Sequence, residues 1–346
     1  MISYIPAIAD TTIYQRYPTS NAGLDEIIEV GKLKTSLDTT VMYASASARA
    51  LINFDISSIQ TYPTTSRFYL SMYLANAKEV KRYQNLEIYP VSRSWVEGSG
   101  YFYQTEQNAE DGATWEDATE NIRWTASGSD YILTPSASIS LSNIPLTDIK
   151  VDITSIMMPF VTATNTFQWN GLLIKFPTAD ETSSINKGNL KFFSSNTHTV
   201  FAPKLEVMWN AQTFITGSLK KIPNSTVSIV PKNLKEAYTA GEIDKVYLVV
   251  RDLYPDKRFD AVQRYKNVYY LPSSSYYRLT DVASGVKIHD FNSYSPVNCD
   301  VTGSYIILDT SGLNVDRYYS LDLKITSGSL VFYPEFNYTF KVDTDG

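Results

Sequence analysis

A single cysteine, Cys299, stands in a chain of 346 residues, so no intrachain disulfide can form. Histidine is almost as scarce. His198 and His289 lie far apart, and neither has a metal-ligating neighbour at helical spacing. HExxH, CxxC and GxSxG sequences and a phosphate-binding glycine loop are all missing. Each histidine is therefore read as a surface or turn residue, and Cys299 as a small buried apolar side chain. No apolar run approaches the ~20 residues of a membrane span. The opening residues, MISYIPAIADTTIY, lack the basic start, apolar core and small-residue cleavage site of a signal peptide. Lys plus Arg number 30 against 36 Asp plus Glu, a net charge of −6 with no basic patch, which argues against a nucleic-acid partner. These absences predict a protein made and folded in a reducing cytoplasm, with no membrane partner.

What the chain has in quantity is tyrosine and phenylalanine, 26 and 15, with few alanine-rich stretches, and that composition favours strands. Its 43% hydrophobic and 19% charged residues suit a folded chain, and its length suits about two domains at roughly 150 residues each. Asp10 to Gln15 reads as a first short strand, and Ile28 and Val30 mark a second. In Arg49–Ile56, Ala50, Ile52, Phe54 and Ile56 share one face while Arg49, Asn53 and Asp55 take the other. Phe68, Leu70, Met72 and Leu74 alternate in the same way with Arg67, Tyr69, Ser71 and Tyr73. One buried face per strand is what an antiparallel sandwich requires.

Leu86 to Trp124 stands apart. Leu86 and Ile88 form one face of a strand that Pro90 ends. The loop that follows carries Trp95, Trp115 and Trp124, with seven acidic residues from Glu97 to Glu120. Indole rings bury large apolar areas, so such a loop is packed down, either as a binding surface or as the plug at one end of a sandwich. Glycosidic acid–base chemistry needs two carboxylates at a set separation, whereas seven acids in one loop read as a solvated face.

Beyond the loop, Ile139–Ile144 is a further apolar segment. Val151–Ala163 holds a short helix, capped by Asp152 or Thr154, with Ile156, Met157 and Phe160 inward and Pro159 limiting its length. Trp169-Asn170-Gly171 is a turn, and Leu172, Ile174 and Phe176 form the inner face of the next strand. Lys204–Trp209 closes this half, with Leu205, Val207 and Trp209 inward and Lys204, Glu206 and Met208 outward. From about Ala211 the strands become tyrosine-rich: Asp244–Arg251, Asn267–Leu271, Ser275–Leu279, Tyr305–Leu308, Tyr318–Ile325 and Tyr338–Val342. Their spacing indicates a second sandwich. Ser311-Gly312-Leu313 followed by Tyr318 is similar to the turn into the F strand of immunoglobulin-like and fibronectin type III domains, where a tyrosine ties the corner to the backbone; Tyr318 is the candidate here.

Six blocks in order make residues from about 5 to 210 resemble the DNRLRE family of jelly-roll domains, which look like carbohydrate-binding modules. They are Ala9–Ile13; Ala48–Ser57; Tyr89–Gly98 with Gly112–Trp115; Val151–Thr154; Gly171–Ile174; and Ala202–Val207. The chain departs from the family pattern at Phe160, where many members have Trp, and at Ala202, where many have Arg. The resemblance implies a scaffold role for Trp95, Glu97 and Trp115 and leaves Tyr101, Phe102 and Tyr103, in the variable part of the loop, as ligand or partner contacts. Trp95, Trp115, Trp124 and Trp169 are the indoles that could stack on a sugar, although packing over the core is the simpler use of each. The family also implies a possible structural Ca2+, for which Asp10 with Asp152 is the suggested pair. Related domains occur in polysaccharide-active bacterial proteins and in tailed-phage virions.

The expectation is thus an all-β protein: an N-terminal jelly-roll β-sandwich at 1–210 followed by a C-terminal immunoglobulin-like β-sandwich at 211–346, joined near Asn210–Thr216. Its expected role is that of a non-catalytic virion structural protein of a tailed bacteriophage, in the head, neck or tail. Its partners would be portal, neck, tail or capsid proteins and further copies of itself. A virion assembled in the cytoplasm and released by lysis also reconciles β-sandwiches with the missing signal peptide. The alternative is a carbohydrate-binding module that reads an acidic surface glycan through the Tyr101 region, with Ca2+ assisting. A lyase or hydrolase is the third reading.

Overall fold

Pleated strands place alternate side chains on opposite faces, and Phe68, Leu70 and Met72 are accordingly all fully buried on one of them. The same period organises the whole protein, which is all-β. The computed structural model describes residues 1–33, 46–80, 84–102, 111–141, 148–254 and 269–344. The chain divides into two compact units: an N-terminal unit, Ile5–Val207, and a C-terminal unit made of Met1–Tyr4 together with Met208–Gly346. The expected boundary lay at residue 210.

The N-terminal unit begins with β1 (Ile2–Tyr14), β2 (Ile27–Leu33), β3 (Ala46–Phe54), β4 (Arg67–Met72), β5 (Leu74–Lys78) and β6 (Gln84–Pro90). A small hairpin, β7 (Asp117–Thr119) with β8 (Ile122–Arg123), precedes β9 (Ala137–Leu141) and β10 (Ile149–Asp152). Helix α1 (Thr154–Val161), β11 (Leu172–Lys175), helix α2 (Thr178–Glu181), β12 (Gly188–Phe193) and β13 (Lys204–Met208) complete it. The main strand order is β10-β4-β13-β1-β3-β11-β6-β9, and β2, β12 and β5 branch from β3. The first strand is much longer than its expected six residues, because Ile2–Ala9 pairs as well, with a register shift between Ala7 and Ala9.

Two expectations for this unit need correction. Helix α1 starts from Ile153 without a side-chain cap; the Asp152 carboxylate accepts the Thr154 N–H at 2.9 Å instead. In β13, Glu206 and Met208 are buried rather than outward. Ser71 donates to Glu206 at 2.6 Å, and Lys150 pairs with the same carboxylate, so the burial of Glu206 is compensated.

In the C-terminal unit come β14 (Lys220–Lys221), β15 (Val227–Pro231), β16 (Ala237–Thr239), β17 (Ile243–Asp252), β18 (Tyr269–Tyr270) and β19 (Tyr276–Asp281). Then follow β20 (Lys287–His289), β21 (Asn298–Asp300), β22 (Gly303–Asp309), β23 (Arg317–Ser327), β24 (Leu330–Phe332) and β25 (Tyr338–Asp343). One sheet runs β15-β17-β22-β21 and another β16-β25-β23-β19-β20, with β24 attached to β23. Leu248, Ile306, Leu321, Leu323 and Phe340 lie in the apolar core of this unit. Met1–Tyr4 joins it through buried Ile2 and Tyr4, whose hydroxyl donates to the Ile288 carbonyl at 2.7 Å.

The tyrosine that ties the corner is Tyr319, not Tyr318. Tyr319 is fully buried and its hydroxyl donates to the Asn314 carbonyl at 3.1 Å, while Tyr318 is 56% exposed. One residue of register decides which side chain faces the core. His289 is likewise no surface residue; it is buried with its ring edge-on to Tyr277. His198 is exposed and Cys299 is buried, with its thiol pushed upward by that burial.

Candidate functional site

Leu172, Leu173 and Ile174 are all fully buried, which alternation alone does not explain. Leu172 and Ile174 face inward as expected. Leu173 faces outward, with Leu51 and Ile13, and the Trp loop covers that outer face. Ala113, Trp115, Ala118 and Trp124 pack with Ile13, Leu51, Val91 and Leu173, and Trp95 and Tyr131 border the cluster. The loop is a lid on the sheet. The Trp95 indole N–H donates to the Asn170 carbonyl at 2.7 Å and that of Trp124 to the Thr114 carbonyl at 2.9 Å, so both buried donors are satisfied.

Asn21 clasps the lid. Its amide nitrogen donates to the carbonyls of Glu97 (2.7 Å) and Ala113 (2.9 Å), and its oxygen accepts the Gly23 (3.1 Å) and Gly100 (2.8 Å) N–H groups. Gly98, at φ 83°, has no room for a Cβ, which would lie 2.5 Å from Asn21 Oδ1 and 2.6 Å from Gly112 Cα. The glycines of the two loop motifs are therefore there to let the strands of the clasp touch. Beyond it, Ser99 N–H donates to Asp111 at 3.0 Å, closing the base of the insert.

Glu97 links the lid to β1 by accepting the Asp10 N–H at 2.8 Å. Asp10 itself is fully buried. Its Oδ2 accepts the Ser195 N–H at 2.6 Å, and its Oδ1 has no hydrogen-bond partner among the described residues. Burial raises the Asp10 carboxyl to about 7 against the opposing Ser195 hydrogen bonds, with the nearby Glu97 charge adding to the rise; burial raises Glu97 as well. Asp10 and Asp152, the suggested calcium pair, have separate partners. Asp152 is exposed, occupied by the Thr154 N–H and 3.8 Å from Arg67. Among the described residues no group of three His, Cys, Asp or Glu side chains is placed to hold a metal. Burial and the nearby Glu97 charge favour the protonated form of Asp10.

Beside the lid, on the same outer face, lies a buried ionic network. Arg49 donates to both oxygens of Glu181 at 2.9 and 2.7 Å, and its guanidinium sits 4.8 Å over the Trp115 ring. Lys175, with no exposed side-chain surface, lies 3.4 Å from Glu181 and 3.8 Å from Glu87, and donates to Thr178 at 3.1 Å. Tyr89 donates to Glu87 at 2.9 Å; burial, then that hydrogen bond, pushes its hydroxyl up to about 12. Every member has a partner, as buried charges demand.

Of the expected contact residues, Phe102 is not free. It stacks on Tyr14 at 4.3 Å and meets Tyr17 edge-on at 5.3 Å, and its N–H donates to Asp25 at 3.3 Å. Phe102 is aromatic enough to be drawn into the neighbouring apolar cluster, which outweighs exposure. Tyr101 is half-buried, and Tyr103 lies outside the described residues.

The C-terminal unit presents a different surface. On β24, Leu330 and Val331 are 43% and 47% exposed, and Tyr333 just after it is 63% exposed. Phe291 meets the Tyr333 ring at 5.8 Å and extends the patch. Among the described residues β24 pairs only with β23, so its other edge offers unpaired backbone groups.

No family model matches the chain. No curated protein matches it either. Among solved structures, a DUF4785 family protein from Legionella pneumophila aligns at 8% identity and a TM-score of 0.20. The alignment covers 99% of this chain, which spans 62% of that one, and the likeness is too slight to bear on fold or function.

Asn21, Lys175 and Glu181 have no role in the sequence reading, and Arg49 appears there only as an outward-facing residue of its strand. Asn21 sits in a turn-rich stretch where asparagine is commonplace. The ionic network had a faint signal: Lys175 directly follows the apolar run Leu172–Ile174, a place where an unpaired lysine would be costly. The exposed patch on β24 left none, because Leu330-Val331-Phe332 reads as a core strand.

Proposed function

We propose that this chain is a non-catalytic structural protein of a tailed-phage particle, and that it assembles through the surface of its C-terminal unit. The observation that carries the assembly reading is the open β24 edge flanked by exposed Leu330, Val331 and Tyr333. Soluble proteins usually blunt such an edge with charge, proline or a covering segment; a strand or apolar face from another molecule would cover this one. The phage setting rests on the sequence resemblance of the first half. The packed lid supports the same reading, because the loop indoles Trp95, Trp115 and Trp124 are spent on the outer-face core. An acidic glycan read through the Tyr101 region has less support, since Phe102 is stacked on Tyr14.

Sedimentation velocity on the full chain tests the assembly role. The expected result is a concentration-dependent oligomer, or a complex formed with copurified particle proteins, that Val331→Lys abolishes while leaving the circular dichroism spectrum unchanged. A complex that survives Val331→Lys would place the contact elsewhere.

A further inference from the structure

The ionic network beside the lid brings an amine and two carboxylates together in a way that suits chemistry between side chains. Where β6 pairs with β11, Glu87 and Lys175 stand directly opposite each other. Opposed residues of antiparallel strands project from the same face, with Cβ atoms about 4.5–5.5 Å apart. Lys175 Nζ lies 3.8 Å from Glu87 Oε2 and 3.4 Å from Glu181 Oε2, and the lysine side chain has no exposed surface. The amine is held in a dry site between the two acids.

The two acids are not equivalent. Arg49 grips both oxygens of Glu181 at 2.9 and 2.7 Å, which makes that carboxylate a poor electrophile and a well-placed proton relay. Glu87 has no guanidinium against it among the described residues; its Oε2 accepts the neutral Tyr89 hydroxyl at 2.9 Å. Burial pushes that hydroxyl up to about 12, so it stays a donor. A fixed donor on Oε2 stabilises the negative charge that builds there when the Glu87 carbonyl carbon is attacked. The Glu87 side chain is 27% exposed, so a small product released there reaches solvent.

We propose that Lys175 and Glu87 condense into an amide bond, with Glu181 relaying protons and Tyr89 holding the carbonyl oxygen. The ammonium releases two protons through Glu181 to Glu87 Oε1. The bond from Nζ to Cδ forms, the bond from Cδ to Oε1 breaks, and Oε1 departs as water. Glu181 ends in the state in which it began, and no oxidant or cofactor is consumed. An amine and an acid do not condense in dilute solution, but well-oriented groups reach effective concentrations on the order of 10⁵–10⁸ M. Burial of Lys175 then shields the product from returning water. The bond ties β6 to β11 beneath the lid, and it is independent of the assembly role.

Intact-mass spectrometry of the denatured full chain tests it, with tandem spectrometry of a tryptic digest to locate any link. The wild type should weigh one water molecule less than its sequence, and the digest should hold the Glu87 and Lys175 peptides joined through their side chains. Lys175→Arg, which keeps a cation in the network but cannot form the amide, should recover the full mass. Glu181→Gln should slow the appearance of the link after pulse-labelled synthesis about a hundredfold or more. A wild-type chain of full sequence mass, the signature of an ordinary ion-pair network, overturns the proposal. So does a missing water that maps to an Asp-Gly step such as Asp111-Gly112, one that persists in Lys175→Arg, or a link that forms in Glu181→Gln at the wild-type rate. The wild-type mass decides the matter even if a variant fails to fold.

Discussion

Asp10 is the residue whose environment departs furthest from its sequence expectation. In the sequence Asp10 reads as a strand-end or cap residue or a calcium ligand, yet it is fully buried, and burial lifts its carboxyl from an ordinary 3.8 to about 7. Between about pH 4 and pH 7 the folded chain therefore holds a proton that the unfolded chain has released. Stability contributed at this site falls as pH rises through that window, and is level on either side. Asp10→Asn should remove the dependence. At pH 8 the variant should be the more stable by on the order of 2–4 kcal/mol, with the gap closing by pH 4, as read from urea unfolding of the N-terminal unit. Millimolar Ca2+ or EDTA should leave wild-type stability unchanged; stabilisation by Ca2+, reversed in Asp10→Asn, would restore the metal reading. Tyr319 makes the second residue-scale case. Tyr319→Phe should cost about 0.5–1.5 kcal/mol through the lost bond to Asn314, whereas Tyr318→Phe should stay within about 0.5 kcal/mol.

At the scale of elements, the lid and the ionic network occupy the same outer face of one sheet. Their stabilities are coupled through Arg49, which touches both Glu181 and Trp115. Glu181→Ala would leave the fully buried Lys175 and the nearly buried Arg49 without their shared carboxylate. The expected cost is about 3–5 kcal/mol, with hydrogen exchange accelerated through residues 111–131 as the Trp115 shelf loosens. Lys341→Ala, which removes exposed ion pairs to Asp316 and Asp343, should cost about 0–1 kcal/mol in the same assay. Normal protection of the lid in Glu181→Ala would separate the two features. Much of this layer was legible in the sequence: three tryptophans in one loop announced packing, and the motifs around Trp95 and Trp115 are the parts that touch the sheet. What the sequence withheld was the destination. Strands buried on both faces lose their alternation, so Leu173 looked like an interruption in β11 when it was the floor beneath the lid.

For the whole molecule, period-two patterning was enough to give an all-β protein, since Phe68–Met72 and Tyr319–Ile325 carry the pattern without ambiguity. The connectivity was not legible. The C-terminal unit takes its first strand residues, Ile2 and Tyr4, from the start of the chain, and no local pattern links Tyr4 to the Ile288 carbonyl it binds. Function was the least legible, because an apolar edge such as Leu330–Phe332 has the same residues as a core strand, and only the structure shows that Leu330 and Val331 are exposed. Under the proposed function this chain is built into a particle. Quantitative mass spectrometry of virions banded to constant purity, from lysates of the host that produces this chain, tests it most directly. The chain should be present at a fixed integer ratio to the portal protein and be retained through high-salt washing. Its absence from the banded particles, with the chain recovered only in the soluble lysate, would rule out a role in the particle.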